Sequence, residues 1–470
     1  WTQKCESVRV VRVSCTYMEP SADALAGKRV LLTGASGLVG MYTAAKMLHC
    51  FPEIGGLVIP MRPGKVAGGD AAARWQQMVT DDASLFQGLA LSKVTILSVA
   101  DIVDLPEALK SRSSAVGSLH AVVNIAADVS WELDEAGSRK ANCDAVLALY
   151  AACREAAPGH PLSTVQAFVQ CSTFAVAEVL AAGHVVTRAR IPHVADVAPE
   201  EAWWYRNGYG RAKRRAEVLL GEASEPASKG RPVPVVVVRP GCTGGCSTLP
   251  GAIAPPGWVN KGNMHVPQSY YFYSTRPDPE TPPRMPFLPA GLEDRPQHLV
   301  PVDVASNIHV MALVLALTHP QRWKFGGAEI PVFNACPDHS VNPVRFWDNL
   351  ALTPHFREKD FEFLGPRTLD LLRTAVKSGN ASQHQQIQKK MLRPFGLIYG
   401  MTSGGDLKWE VETDSCSWLA SQMHPKDREE FPVIYSESVS WREWMPICHE
   451  YFWRHIVRPR QASLSQSARL

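Results

Sequence analysis

The chain has 470 residues, of which 46% are hydrophobic and 20% charged, which excludes a mainly disordered protein and leaves room for two or three domains. Forty-eight basic against 45 acidic residues give a formal charge of +3, so charge offers no case for nucleic acid as a partner. Eleven cysteines are scattered without a regular framework, and the pair Cys242 and Cys246 is followed by no second pair at zinc-ligand spacing. Reduced thiols, a reducing compartment and no metal are therefore expected. The longest apolar run, Ala145 to Cys153, is far shorter than the roughly 20 residues of a membrane span. The chain opens on Trp1, which leaves room for a targeting segment ahead of it.

Residues 1–27 show little pattern and read as an irregular leader. From Lys28 the text changes to short apolar strands alternating with helices. Arg29 to Thr33 is the first strand, then comes a glycine-rich turn, then a helix from Met41 to Cys50. Further strands are expected at Leu57 to Met61, Val94 to Val99, His120 to Ala126, Phe168 to Cys171 and Pro234 to Val238, with a helix over 141–156. Continuous apolar strands of this kind belong to a parallel sheet covered on both faces, the doubly wound Rossmann-like α/β fold, with its ligand site at the carboxyl ends of the strands. Residues 274–297 are proline-rich and read as an irregular excursion. Strand and helix text resumes at Leu299 to Asp303, with a helix over 304–317. The predicted division is a leader (1–27), a dinucleotide-binding reductase unit with substrate-binding insertions (28–355), a smaller helical C-terminal domain (356–458) and a polar tail (459–470).

Thr33-Gly34-Ala35-Ser36-Gly37-Leu38-Val39-Gly40 has the G-x-x-G-x-x-G spacing, after a strand and opening a helix. Such glycines let the backbone approach a pyrophosphate, which the helix N-terminus attracts. Thr33, Gly34, Ser36, Gly37, Leu38, Val39 and Gly40 are therefore candidate cofactor-binding residues. Arg62 follows the second strand, where an acidic residue would hold a ribose 2′-hydroxyl; an arginine there suits a 2′-phosphate and favours NADPH. Asp101 and Ile102 after the third strand are placed to touch the adenine. Small residues Ala126 and Ala127, beyond Asn124 at the end of the fourth strand, let the cofactor pass close.

Tyr209 and Lys213 form a Y-x-x-x-K pair that shares one helix face over 209–221. An ammonium beside a phenol is expected to lower the tyrosine pKa, and such a tyrosine can protonate an alkoxide forming at a carbonyl carbon. Lys213 can also hold the nicotinamide ribose. A lone Y-x-x-x-K recurs by chance, but here Cys171-Ser172-Thr173 precedes it at a strand end. Thr173, with Ser172 as the competing choice, is the second hydrogen-bond donor to the substrate oxygen.

These segments resemble the extended short-chain dehydrogenase/reductase group, and within it the alcohol-forming fatty acyl-CoA reductases. The glycine turn, Cys171-Ser172-Thr173 and the run from Asn207 to Glu217 carry the wider resemblance. Val238-Arg239-Pro240, leading to Pro255-Pro256-Gly257-Trp258-Val259-Asn260, is more diagnostic, as are Leu299 to Asp303, Ile330 to Asn334 and Asn342-Pro343. A C-terminal run of Trp409, Asp414, Leu419, Asp427, Arg428, Phe431, Trp441 and Trp444 is similar to the C-terminal domain of those reductases. The resemblance adds Pro240 to the cofactor residues. It implies reduction of a long-chain acyl-CoA by NADPH to an aldehyde and on to a primary alcohol, with Thr173, Tyr209 and Lys213 as the catalytic set. The sequence departs from the family at Phe174-Ala175, where Ala-Tyr is usual, and in its polar end, where many members carry membrane segments; peripheral membrane contact is left open.

Val266 to Tyr273, including Phe272, are candidate lining for an acyl channel. Arg211, Arg214 and Arg215 are either coenzyme A phosphate contacts or a solvated helix face. Ser467-Ala468-Arg469-Leu470 resembles a peroxisomal address, which implies the import receptor as a partner and a peroxisomal location, with cytoplasm or endoplasmic reticulum as the alternative. Asn380-Ala381-Ser382 fits a glycosylation acceptor, a poor match to an intracellular enzyme. The rival readings are a carrier-protein thioester reductase that stops at the aldehyde, a nucleotide-sugar epimerase or dehydratase, and a silent dinucleotide-binding scaffold.

Overall fold

A computed structural model describes residues 18–64, 69–129, 134–174, 176, 208–225, 229–247, 249, 251–258, 287–289, 298–319, 330–337, 345, 348, 351–352, 362–364, 413–434, 440–457 and 459. The expected channel segment 266–273, Trp409, Asn342-Pro343, Asn380-Ala381-Ser382 and the terminal tetrapeptide lie outside these residues.

The strands are β1 (Arg29–Thr33), β2 (Gly56–Met61), β3 (Val94–Ser98), β4 (Ala121–Asn124), β5 (Ala167–Cys171), β6 (Val235–Pro240), β7 (Cys242–Gly244), β8 (Phe287–Pro289), β9 (Leu299–Pro301), β10 (Val332–Ala335) and β11 (Glu362–Leu364). Seven of them form one sheet in the order β10-β6-β5-β4-β1-β2-β3, every neighbour parallel. Chain order runs outward from β1 in both directions, so the switch point lies between β1 and β4, above the glycine turn. β7 pairs with β9, and β8 with β11. The strand text places all six expected strands within two residues of their observed ends. The seventh, β10, is only four residues long and was legible as a motif rather than as a strand.

Alternation along each buried strand sends side chains to two separate cores. Val30, Leu32, Val123 and Val169 face a cluster built on the helices Leu38–Cys50 and Val302–Thr318. Leu31, Val122 and Phe168 face a second cluster with the helices Leu105–Ser111, Ala145–Glu155 and Gly208–Ser224. Among the described residues, no helix is long and apolar enough to cross a membrane.

The C-terminal helices Asp414–Gln422, Pro425–Glu430 and Trp441–Phe452 add Leu419, Phe431, Trp441, Trp444 and Cys448 to the first of these clusters. Phe431 stacks on Phe51 at 5.5 Å, and the Trp444 indole N–H donates to the Cys246 carbonyl at 3.0 Å. The stretch expected to be an irregular leader contributes as well. A short helix, Ser21–Leu25, is held because both the amide and the hydroxyl of Ser21 donate to the Asp427 carboxylate, at 2.9 and 2.6 Å. Leu419, Asp427, Phe431, Trp441 and Trp444, which carried the C-terminal resemblance, thus clasp the reductase unit and share its core.

Candidate active site

The glycine turn leaves β1 at Thr33 and enters the helix Leu38–Cys50, capped by Gly37. Gly34 has φ +74°, and a Cβ there would come within 2.6 Å of the Ala126 amide, so β4 and the turn touch backbone to backbone. Gly40 packs as tightly against the Gly34 carbonyl. Gly37 is different: it is exposed, its φ of −94° suits any residue, and the nearest protein atom to a Cβ would be Gly34 O at 3.4 Å. Among the described residues nothing requires glycine there. The space it leaves opens in front of a helix N-terminus of 13 residues, which fits the pyrophosphate of a dinucleotide. Ser36 and Val39 are half-buried and Leu38 is buried beside it.

Thr33 serves the turn from behind. It is buried, its Oγ1 accepts from the Ala126 amide at 3.0 Å, and it donates to Asn124 Oδ1 at 2.5 Å. Its hydroxyl thus ties the turn to the end of β4. Arg62 is exposed at the end of β2, and its carbonyl accepts from Arg74 Nη1 at 3.1 Å, which brings a second guanidinium to this corner. Asp101 caps the turn Ile102–Asp104, accepting from the Val103 amide at 3.4 Å. Ile102 and Ala126 are half-buried, Ala127 is exposed and Pro240 is buried at the end of β6.

Tyr209, Thr173 and Lys213 converge at the carboxyl end of β5. The Tyr209 phenol is hydrogen-bonded to Thr173, the second residue beyond that strand. Lys213, one helical turn on and 1% exposed, donates from Nζ to the Cys171 carbonyl at 2.9 Å. Burial pushes the Tyr209 phenol well up, and the Thr173 hydrogen bond opposes it only in part. The expected lowering by Lys213 is not seen, because the ammonium is turned to the Cys171 carbonyl and burial pushes its own pKa down. A phenol that keeps its proton is the form needed to protonate an alkoxide. Ser172, the competing choice, is buried beside Glu217.

Neither reading of Arg214 survives. It is 2% exposed and its Nη1 lies 3.2 Å from Glu217, which Arg239 of β6 also grips at 2.9 and 2.6 Å. Burial pushes the Glu217 carboxyl up, but the two guanidinium groups overcome this and hold it below the usual carboxylate range. Arg211 pairs with exposed Glu135 at 3.0 Å, and Arg215 is exposed. The i, i+3 spacing of Arg214 and Glu217 was a signal in the sequence; their burial depended on Arg239, 22 residues beyond Glu217.

A seven-stranded parallel sheet with this turn, and with Thr, Tyr and Lys gathered at one strand end, defines an NAD(P)-binding oxidoreductase of the extended short-chain dehydrogenase/reductase type. The family model described as male sterility protein, with an NAD-binding domain, matches residues 32–309, more than half of the chain. The chain belongs to that family. Among solved structures, it is similar to the terminal R domain of the myxalamid PKS-NRPS pathway, with TM-score 0.60 and 16% identity over 92% of this chain and 91% of that one. It is similar also to the reductase domain of a non-ribosomal peptide synthetase from Mycobacterium tuberculosis, with TM-score 0.57 and 17% identity over 92% and 95%. An archaeal thiolation-reductase di-domain matches with TM-score 0.57 and 14% identity, over 92% of this chain and 79% of that one. No curated protein sequence matches the chain.

Proposed function

We propose that the protein uses NADPH to reduce an acyl thioester carried on phosphopantetheine. The observation that carries this reading is the meeting of the Thr173 hydroxyl and the Tyr209 phenol at the end of β5, beside buried Lys213. Two hydroxyl donors this close together suit a carbonyl oxygen that becomes negative as hydride arrives, each able to turn from the other to that oxygen. The Gly37 space and Arg62 would hold NADPH, which would supply that hydride. Thr173 and Tyr209 would hydrogen-bond the substrate oxygen, and Tyr209 would protonate it to a hemithioacetal. The C–S bond of that adduct would then break to give the aldehyde and release the phosphopantetheine thiol, and Lys213 would hold the nicotinamide ribose.

Phosphopantetheine has two sources, a carrier protein and coenzyme A. Likeness to reductase domains of peptide synthetases favours a carrier-bound chain and release at the aldehyde. The C-terminal run that is similar to fatty acyl-CoA reductases favours the coenzyme A thioester and reduction to the alcohol. Purified protein is incubated with NADPH and either palmitoyl-CoA or a palmitoylated carrier protein, and the products are identified by mass spectrometry. Alcohol from palmitoyl-CoA supports the second source, aldehyde from the carrier alone supports the first, and no reduction of either overturns the proposal. Tyr209→Phe is expected to lower kcat by roughly 10²–10³ while NADPH still binds, because it removes one oxyanion donor.

A further inference from the structure

β5 is buried at all five positions, and four of them are filled by Ala167, Phe168, Val169 and Cys171. The other is Gln170, 1% exposed in the interior of a seven-stranded sheet. An unpaired amide there is costly, and leucine would fill the space. Gln170 persists because both ends of its amide are engaged. Oε1 accepts from Asn124 Nδ2 at 2.8 Å, and Nε2 donates to the Cys171 carbonyl at 2.6 Å. That carbonyl is the one to which Lys213 Nζ donates at 2.9 Å.

Thr33, Asn124 and Gln170 stand directly opposite one another on β1, β4 and β5, so their side chains share a face. Their hydrogen bonds run in one direction only. At one end is the Ala126 amide, which can only donate, to Thr33 Oγ1 at 3.0 Å. Because the Gln170 nitrogen must donate to the Cys171 carbonyl, Gln170 Oε1 is left to accept from Asn124 Nδ2, and Asn124 Oδ1 then accepts from the Thr33 hydroxyl. At the far end that carbonyl can only accept. Backbone groups that cannot reverse thus fix every amide between the glycine turn and Lys213.

We propose that Gln170 is a positioning residue for Lys213: it pins the Cys171 carbonyl that seats the ammonium, and it ties that seat to the turn that holds the dinucleotide. This rests on the reductase reading for its effect on turnover, but not for its effect on cofactor binding. A displaced carbonyl lets Lys213 drift from the nicotinamide ribose and from Tyr209, and small misplacements of this kind are amplified in rate.

The test is a double-mutant cycle of Gln170→Met, which is close in volume and has no amide, with Lys213→Met. Gln170→Met alone is expected to lower kcat roughly tenfold or more, with KM for the thioester little changed. In the Lys213→Met background the same substitution is expected to change kcat less than twofold, because no ammonium remains to seat. A merely structural Gln170 would lower the melting temperature and reduce kcat by the same factor in both backgrounds; that result, or an unchanged kcat in the single variant, overturns the proposal. Should the wild-type protein reduce no thioester, the reductase reading fails, and the cycle is read instead in NADPH affinity by nicotinamide fluorescence. There, weaker binding in each single variant with no further loss in the double supports the positioning role, and additive losses overturn it. If Gln170→Met does not fold, Gln170→Asn, which keeps the amide but falls one methylene short of its two partners, carries the same test with the same outcomes.

Discussion

Two buried carboxylates, one on each face of the sheet, have opposite fates. Glu217, behind the Tyr209 helix, is fully buried and gripped by Arg239 and Arg214, and it sits below the usual carboxylate range. Asp303, at the start of the helix Val302–Thr318, is 1% exposed and bonded to Ser247, through its amide at 2.9 Å and its hydroxyl at 2.5 Å. Burial pushes the Asp303 carboxyl up, and those neutral donors bring it only part of the way back. The nearby buried Lys46 is spent on carbonyls, those of Gly251 and of Glu430 at 3.3 Å, and on the Phe431 ring at 4.9 Å. A carboxylate with charged partners locks a helix to a strand through its charge. One with neutral partners needs only its shape and its hydrogen bonds.

Glu217→Gln should be the most damaging change to stability, at about 3–5 kcal/mol, because it leaves two buried guanidinium groups without a counter-charge. Chemical denaturation measures it, and a loss below about 1 kcal/mol would erase the contrast. Next comes Ser247→Ala, expected to lose about 1.5–3 kcal/mol by taking one donor from a buried carboxylate. The smallest effect is expected of Asp303→Asn, within about 1 kcal/mol of wild type, since an amide can accept from the Ser247 amide and donate to its hydroxyl. A large loss there would show that the Asp303 charge, not its hydrogen bonds, is what the fold uses.

The two groups also pull the pH profile in opposite senses. Glu217 is held below its ordinary 4.5, so its contribution is complete above that value and is lost as pH falls through its folded pKa. Asp303 is raised above its ordinary 3.8, so from that value up to its folded pKa the folded state binds more protons and stability falls as pH rises. Denaturation midpoints between pH 3 and pH 7 should therefore fall less steeply toward acid in Glu217→Gln and more steeply in Asp303→Asn than in wild type.

The sheet was legible because its strands are continuous β-branched runs between glycine and proline signals, which no helix pattern imitates. That Tyr209, Lys213 and Thr173 come together at one strand end was legible from their spacing and order. Gln170 was not, since a glutamine in an apolar strand has no signature until β1 and β4 place Thr33 and Asn124 opposite it. Nor was the role of Arg214: three arginines along one helix read as a solvated stripe, and it is Glu217, gripped from β6 by Arg239, that one of them turns inward to meet. The C-terminal helices were recognised by family pattern, yet sequence distance concealed that their tryptophans fill the same core as the helix behind the glycine turn.

That common core decides how the chain can be cut. A shortened protein ending near residue 355 would bare the apolar ground on which Phe431 and Trp444 rest, and the underside of the cofactor helix with it. Such a fragment should emerge insoluble or bound to chaperones, and in the intact protein the segment Ser21–Leu25 and the helix Trp441–Phe452 should be released together on melting.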